Sequence, residues 1–466
     1  MPPDWVSEFG PAYAQKQLSY IVGWLCLLGW QVGNTAIGYL CGTILQGMIA
    51  LNNPSYEPTR WQAVLIIWAV LTFSLVFNTF LAGRLPLLEG VVLVIHIGGF
   101  FAILIVLWVL ADTDPASEVF TSFYNGGGWP SQGTACLVGI LSPVFSFVGP
   151  DAATYIAEEL RDASRSLPRA MIWTALVNGG MGFVMIITFM MMLGDPEVAL
   201  DSPTGYPFID VSFNPSLWLT ALCLRIFQLF YRTTGSLAAT TVMVSLFFIM
   251  LLFGCVTSFA TSSRQMWAFV STHHHVCPIY QSTDPVQARD HGTPFSSWLS
   301  RVRPGYDLPM NAIYVTYSLA MLLTLINLGS EVALNIITSL GTGALTCSYI
   351  VSISCIIRKR LVGEPLLPRP WSLGIWGLPL NIIGVCFLIL CFVMNFFPQS
   401  PKNLDATTFN WNILIVSFQS AIKSRQPRSN ADLPQFMSAV IIAGINYAVT
   451  GRKKYEGPVA YIRKDL

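Results

Sequence analysis

Apolar residues are concentrated in nine runs that are long enough to cross a membrane as helices. The runs cover 18–46, 62–82, 87–110, 133–157, 170–193, 235–260, 311–328, 333–357 and 374–397. A hydrocarbon core about 30 Å thick is crossed by roughly 17–25 helical residues. A tenth run, 411–449, is interrupted by a polar stretch. The pattern predicts an all-α polytopic membrane protein with about ten spans, and residues 1–466 form one transmembrane domain.

The composition supports this class. Hydrophobic residues make up 53% of the chain, charged residues 11%, and the mean hydropathy is +0.58. A soluble protein carries about 25% charged residues. The net charge of +1 offers no concentrated basic face, so no nucleic-acid partner is expected.

Neither metal nor enzyme motifs stand out. The ten cysteines show no metal-ligand spacing, so no cofactor and no metal site are expected. The sequence contains no HExxH, no Gly-x-Ser-x-Gly and no phosphate-binding glycine loop. These observations argue against a membrane enzyme.

The distribution of Lys and Arg predicts the orientation. With the N-terminus in the cytoplasm, 18 of the 25 basic residues fall on the inside and four on the outside. Cytoplasmic loops carry such an excess. We therefore expect both termini in the cytoplasm. A plasma-membrane location is a separate expectation.

The run 133–157 has an unusual centre. Pro143, Gly149, Pro150 and Asp151 interrupt otherwise apolar sequence. Pro150 removes a hydrogen-bond donor and clashes with the preceding turn, so a break is expected near 147–149. Broken backbone at membrane depth is tolerated where it lines a cavity, and there it can hold a small zwitterion or cation. The alternative is a simple proline kink in which a neighbouring helix satisfies Asp151.

Several motifs resemble one family of transporters. They are Phe145-Ser-Phe-Val-Gly-Pro-Asp-Ala-Ala153, Glu158-Glu159, Ala163-Ser-Arg-Ser-Leu-Pro-Arg-Ala-Met171, Trp5-Val-Ser-Glu-Phe9, Leu51-Asn-Asn-Pro-Ser-Tyr56 and Thr261-Ser-Ser-Arg-Gln-Met-Trp-Ala-Phe269. The chain resembles, nearly end to end, the fungal amino acid/choline (γ-aminobutyrate permease-like) transporters of the amino acid-polyamine-organocation superfamily. The resemblance implies an inverted repeat of five plus five helices followed by two more.

The same resemblance implies a substrate site at two interrupted helices, one of which this chain matches. The matching residues are Phe145, Ser146, Phe147, Val148, Gly149 and Asp151. Trp30, Gln31 and Asn34 of the first span are further candidates for the cavity, and interfacial anchoring or interhelical hydrogen bonding is the alternative for them. The chain begins at what resembles the loop before the family's third helix, so an N-terminally truncated member lacking the first two helices is expected.

Three segments depart from the family's pattern: 211–228, 270–287 and 416–435. Each starts with Val-Ser and ends with Gln, and omitting it restores the pattern. Read in frame, a splice donor site encodes Val-Ser and an acceptor site encodes Gln. We therefore interpret the segments as retained introns. Genuine loop insertions are the alternative, since surface loops accept extra residues at small entropic cost.

The sequence thus predicts a secondary active transporter of amino acids or related amines, such as γ-aminobutyrate or choline, coupled to protons. Alternating access would operate around the break at 145–151. Asp151 is the candidate for proton or amine coupling. The alternative is a truncated, non-transporting permease relative or a receptor-like membrane protein.

Overall fold

A computed structural model describes most of the chain. The described residues are 2–53, 55–56, 58–123, 125, 128–155, 162–192, 227, 229–270, 296–299, 301–302, 308–329, 332–366 and 371–397. The predicted tenth span and the three segments that depart from the family's pattern lie outside the described residues, apart from Phe227 and Val270.

Helices account for most of the described chain, and no strand occurs in it. The helices are α1 (Pro2–Phe9), α2 (Gln15–Asn52), α3 (Arg60–Phe80), α4 (Leu85–Leu110), α5 (Ala116–Thr121), α6 (Gln132–Gly139), α7 (Leu141–Ser146), α8 (Ala152–Tyr155), α9 (Ala163–Met192), α10 (Leu237–Val270), α11 (Ser296–Leu299), α12 (Met310–Gly329), α13 (Val332–Leu361) and α14 (Gly377–Met394). Single 3₁₀ turns precede α4 and α14.

Seven helices in the described part are long and apolar enough to cross a membrane. Helix α12 adds a shorter apolar stretch, Met310–Ile326. The predicted run 133–157 is not among the seven because it is divided among α6, α7 and α8. These observations confirm the all-α polytopic membrane class, and the inverted repeat stays a prediction.

Helix α2 lies at the centre and packs against α1, α3, α10 and α13. Its glycines permit close approach: a Cβ added to Gly29 would come within 2.4 Å of Leu345 Cγ on α13, and one added to Gly42 within 2.5 Å of Ile67 Cγ1 on α3. Small residues let membrane helices approach closely, and the closer approach strengthens van der Waals packing. The sequence of α2 therefore favours an interior position.

Hydrogen bonds also join α2 to its neighbours. Gln31 Nε2 donates to the Ser262 carbonyl oxygen on α10 at 3.2 Å and to Thr316 Oγ1 on α12 at 3.1 Å. In return, Ser262 Oγ donates to the Trp30 carbonyl oxygen at 2.9 Å. Such bonds fix the register of one helix against another inside a membrane.

The short helix α1 docks against α2 and α13 through a buried ion pair. Lys359 Nζ lies 2.8 Å from Glu8 Oε1, and the two side chains are only 4% and 14% exposed. Lys359 also donates to the Glu8 carbonyl oxygen at 3.1 Å and lies over the Phe9 ring. Helix α1 thereby connects the first residues of the chain to the end of α13.

Candidate functional site

The helix interruption in the run 133–157 centres on Gly149. Helix α7 ends at Ser146 and α8 begins at Ala152, which places the break where the sequence predicts it. Gly149 has φ +123°, a conformation that side chains with a Cβ rarely adopt. A Cβ there would meet nothing within 4 Å, so the backbone conformation rather than space requires the glycine.

Asp151 follows the break and points into the protein. Its side chain is 5% exposed, and neither carboxylate oxygen makes a hydrogen bond. Trp30 of α2 and Tyr349 of α13 direct donor groups towards the carboxylate. A buried carboxylate left without a hydrogen-bond partner is costly, so Asp151 is the first candidate for a functional residue in this segment.

Aromatic side chains surround this acid. The rings of Trp30 and Tyr155 meet edge to face, with centroids 5.8 Å apart and an interplanar angle of 79°. Both are buried in one cluster with Leu345, and Tyr349 packs against it. Trp30 Nε1 and the Tyr155 hydroxyl are buried without a hydrogen-bond partner. Donor groups in an apolar wall are thus available to a bound molecule.

The residues that the sequence predicts at the break have different surroundings in the structure. Val148 contacts the aromatic cluster, and Asp151 lies beside it. Phe147 is half exposed and packs instead towards α9, where a Cβ added to Gly179 would lie 3.1 Å from its ring. Ser146 is exposed, and the Phe145 side chain lies outside the described part. The assignment of these residues to substrate binding stays a prediction.

The three candidates on α2 also have different surroundings. Trp30 belongs to the aromatic cluster, whereas Gln31 uses its amide nitrogen to join α10 and α12. Asn34 is fully buried, and both of its amide atoms lack a hydrogen-bond partner. Residues four apart lie on one face of a helix, so Asn34 stands one turn beyond Trp30 along the same side of α2.

Two tyrosines and a cysteine at this site were not predicted. Tyr155 lies four residues after Asp151, and that spacing could have suggested it. Cys26 lies one turn before Trp30 and faces the same acid and Tyr155. Tyr349 comes from α13, almost 200 residues away along the chain. No local sequence signal places it there.

The arrangement suits the recognition of a small cationic or zwitterionic solute. A single acid at a broken helix, buried among membrane-length helices, can hold a proton or an ammonium group. No group of three or more His, Cys, Asp or Glu in the described chain could hold a metal ion. A bundle of this kind around an interrupted helix is the architecture of a membrane transporter of small solutes.

The chain belongs to the amino acid permease family. The family's profile matches residues 6–280 and 287–419. Consequently the protein is a multi-pass membrane transporter and not an enzyme.

Three fungal relatives illustrate the range of this similarity. A Macrophomina phaseolina protein named as an amino acid/polyamine transporter is 29% identical over 412 residues, which cover 87% of this chain and 83% of the relative. The choline transporter of Saccharomyces cerevisiae is 26% identical over 415 residues, 88% of this chain and 66% of the relative. Amino-acid permease 2 of Neurospora crassa is 25% identical over 452 residues, 95% of this chain and 71% of the relative.

Proposed function

We propose that this protein is a secondary active transporter of amino acids or related amines, such as γ-aminobutyrate and choline, and that protons drive it. Its relatives named for amino acid/polyamine and choline transport support this substrate range. The observation that carries the proposal is the buried Asp151, which lies without a hydrogen-bond partner beside the break at Gly149.

In the proposed mechanism, the helices around α2 form a frame and the broken segment moves against it. Residues of α2, α3, α10 and α12 pack in one buried cluster. The hydrogen bonds of Gln31 join three of these helices. By contrast, the two short helices α7 and α8 are joined through the irregular backbone at 147–151. Alternating access then consists of opening the site to one side of the membrane at a time.

Asp151 supplies the coupling charge in this mechanism. Its carboxylate is buried, so a proton or an ammonium group that neutralises the carboxylate stabilises the site. An occupied site can move between the two access states without carrying an unpaired charge through the apolar interior. We further propose that both termini lie in the cytoplasm, as the 18-to-four distribution of basic residues indicates. We also propose that the protein is located in the plasma membrane.

The first experiment measures uptake by the full chain in proteoliposomes, with radiolabelled γ-aminobutyrate, choline and a set of common amino acids. Because a proton and an ammonium group occupy Asp151 in turn in this mechanism, an outward proton gradient should stimulate uptake of at least one of them, and a protonophore should remove the stimulation. If the chain inserts correctly but takes up none of these compounds, the non-transporting alternative is favoured.

The broken helix is tested by Gly149→Val. A β-branched residue rarely adopts φ +123°, so the substitution should abolish uptake while leaving the protein in the membrane. Gly180→Val on α9 is the matched control, because a Cβ there also meets nothing within 4 Å and the backbone is helical. Wild-type uptake by Gly149→Val would contradict the broken-helix mechanism.

A further inference from the structure

Helix α1 and the aromatic cluster beside Asp151 lie at consecutive levels of the same two helices. A buried cluster joins Val6 of α1 to Val22 and Cys26 of α2 and to Cys355 of α13. We call these four residues the α1 layer. Each of them is exposed by 6% or less, so the layer is closed to solvent in the structure.

The α1 layer borders the site from one side. On α2, Cys26 lies about one turn before Trp30, and on α13, Cys355 lies six residues after Tyr349. Cys26 also faces Tyr155 of the site. From the site to the layer, residue numbers fall along α2 and rise along α13, so both helices lead towards the same face of the membrane. The orientation expected from the basic residues makes this face the cytoplasmic one.

Polar contacts hold α1 at this position from both of its ends. Near its last residue, Lys359 Nζ lies 2.8 Å from Glu8 Oε1 and donates to the Glu8 carbonyl oxygen at 3.1 Å. Near its first residues, Ser19 Oγ donates to the Pro3 carbonyl oxygen at 2.9 Å. A buried ion pair separates at low cost only when water reaches both charges. Opening of the α1 layer and hydration of the Glu8–Lys359 pair are therefore expected to occur together.

The attachment of α1 to the rest of the protein allows such a movement. Residues 10–14 separate α1 from α2, and Tyr13 in this link is 88% exposed. A helix of eight residues is not stable by itself in water, so the position of α1 depends on its contacts with α2 and α13. Loss of those contacts is a local opening that leaves the membrane spans folded.

We propose that α1 is a cover that closes the site on the cytoplasmic side, and that separation of Glu8 from Lys359 releases it and opens a passage from Asp151 to the cytoplasm. The cover is closed in the structure. This inference rests on the proposed transport function for its purpose, but it concerns access to the site alone, and its test does not depend on uptake.

The test measures how fast a membrane-impermeant methanethiosulfonate reagent labels Cys26 from the cytoplasmic face of the full chain in proteoliposomes. Mass spectrometry of the digested protein reports each cysteine separately. Glu8→Lys places two like charges side by side, so the labelling rates of Cys26 and Cys355 should rise at least about tenfold. The exchanged pair Glu8→Lys/Lys359→Glu restores the attraction and should return both rates towards the wild-type values.

Glu364→Lys is the matched control. Glu364 pairs with Arg358 near the same end of α13, but at 3.6 Å and with both side chains more than 40% exposed. The labelling rate of Cys26 should be unchanged in this variant. Cys41 and Cys255 report unfolding, because both are buried in a cluster formed by α2, α3, α10 and α12. Their labelling should stay slow in every variant.

Two results would overturn the inference. One is a labelling rate of Cys26 in Glu8→Lys that equals the wild-type rate. The other is a rise that includes Cys41 and Cys255, because the ion pair then holds the whole bundle and not a cover. If Glu8→Lys does not reach the membrane, Glu8→Gln removes the charge without adding repulsion and should give a smaller rise confined to Cys26 and Cys355. Uptake by the wild type without selective labelling contradicts the cover alone, whereas selective labelling without uptake contradicts the proposed function alone.

Discussion

Helices α2 and α4 are both long enough to span a membrane, yet they have opposite surroundings. The most apolar window of α2 has a mean hydropathy of 1.2 and is 72% buried within the protein. The corresponding window of α4, with the turn before it, has a mean hydropathy of 2.7 and is 11% buried. The more hydrophobic helix is thus the more exposed one, which is the reverse of the rule for soluble proteins.

The difference follows from the solvent. Lipid chains are as apolar as leucine side chains, so burying an apolar surface against protein gains little inside a membrane. Glycines for close approach and polar groups for interhelical hydrogen bonds gain more there, and α2 carries both in Gly29, Gly42 and Gln31. Helix α4 has large exposed apolar side chains such as Leu93, Val94 and Ile105. In this pair, the helix of lower hydropathy is the interior one.

The largest loss of stability is expected from breaking the buried ion pair between α1 and α13, two helices that pack against α2. Lys359→Met removes the buried ammonium group that pairs with Glu8 at 2.8 Å and should destabilise the protein by about 3–5 kcal/mol. The measurement is thermal unfolding in detergent. The double variant Glu8→Gln/Lys359→Met should recover part of the loss, because it also removes the carboxylate charge that Lys359 neutralises.

Arg358→Met is the matched control for this substitution. Arg358 is adjacent in the same helix and pairs with Glu364 at 3.6 Å, but both side chains are more than 40% exposed. An exposed pair contributes about 0–1 kcal/mol. Equal losses for the two variants would show that burial of the Lys359 pair is not what matters, and that α1 is held in another way.

Sequence patterns predict well where the helices lie along the chain, but they predict poorly which helices contact one another. The run 87–110 corresponds to α4 at Leu85–Leu110, because helix length is set by membrane thickness. Gly149 and Pro150 predict the break because they act on the local backbone. Tyr349 was missed because hydropathy does not say which helices touch. Helix α1 was missed because eight residues are too few for a clear period.

The next effect in size concerns close helix packing. Gly42→Leu should destabilise the protein by about 1–3 kcal/mol, because even a Cβ there would meet Ile67 Cγ1 at 2.5 Å and the Ile67 backbone at 3.3 Å. Gly98→Leu on α4 is the control, since a Cβ there meets nothing within 4 Å. We expect it to change the melting temperature little. A large loss for Gly98→Leu would mean that α4 is covered by protein on that face.

The smallest effect separates structure from substrate binding at Gln31. Gln31→Leu removes hydrogen bonds to the Ser262 carbonyl and Thr316, but it also removes the buried Gln31 Oε1, which has no partner. These changes partly offset, and interhelical hydrogen bonds in membranes contribute about 0.6 kcal/mol on average. For Gln31→Leu we expect the free energy of unfolding in detergent to fall by about 1 kcal/mol. Trp108→Phe, which removes one hydrogen bond from α4 to Thr188, should lower it by less.

Transport kinetics complete this test. If Gln31 only fixes α2 against α10 and α12, Gln31→Leu should leave the KM for uptake unchanged, because its amide nitrogen is already occupied. A raised KM with unchanged stability would instead place Gln31 in contact with substrate. For Asn34 we expect the opposite result. Both of its buried amide atoms lack hydrogen-bond partners, so Asn34→Leu should change the KM for uptake while changing the free energy of unfolding little. Together the two variants decide which polar groups of α2 serve packing and which face the solute.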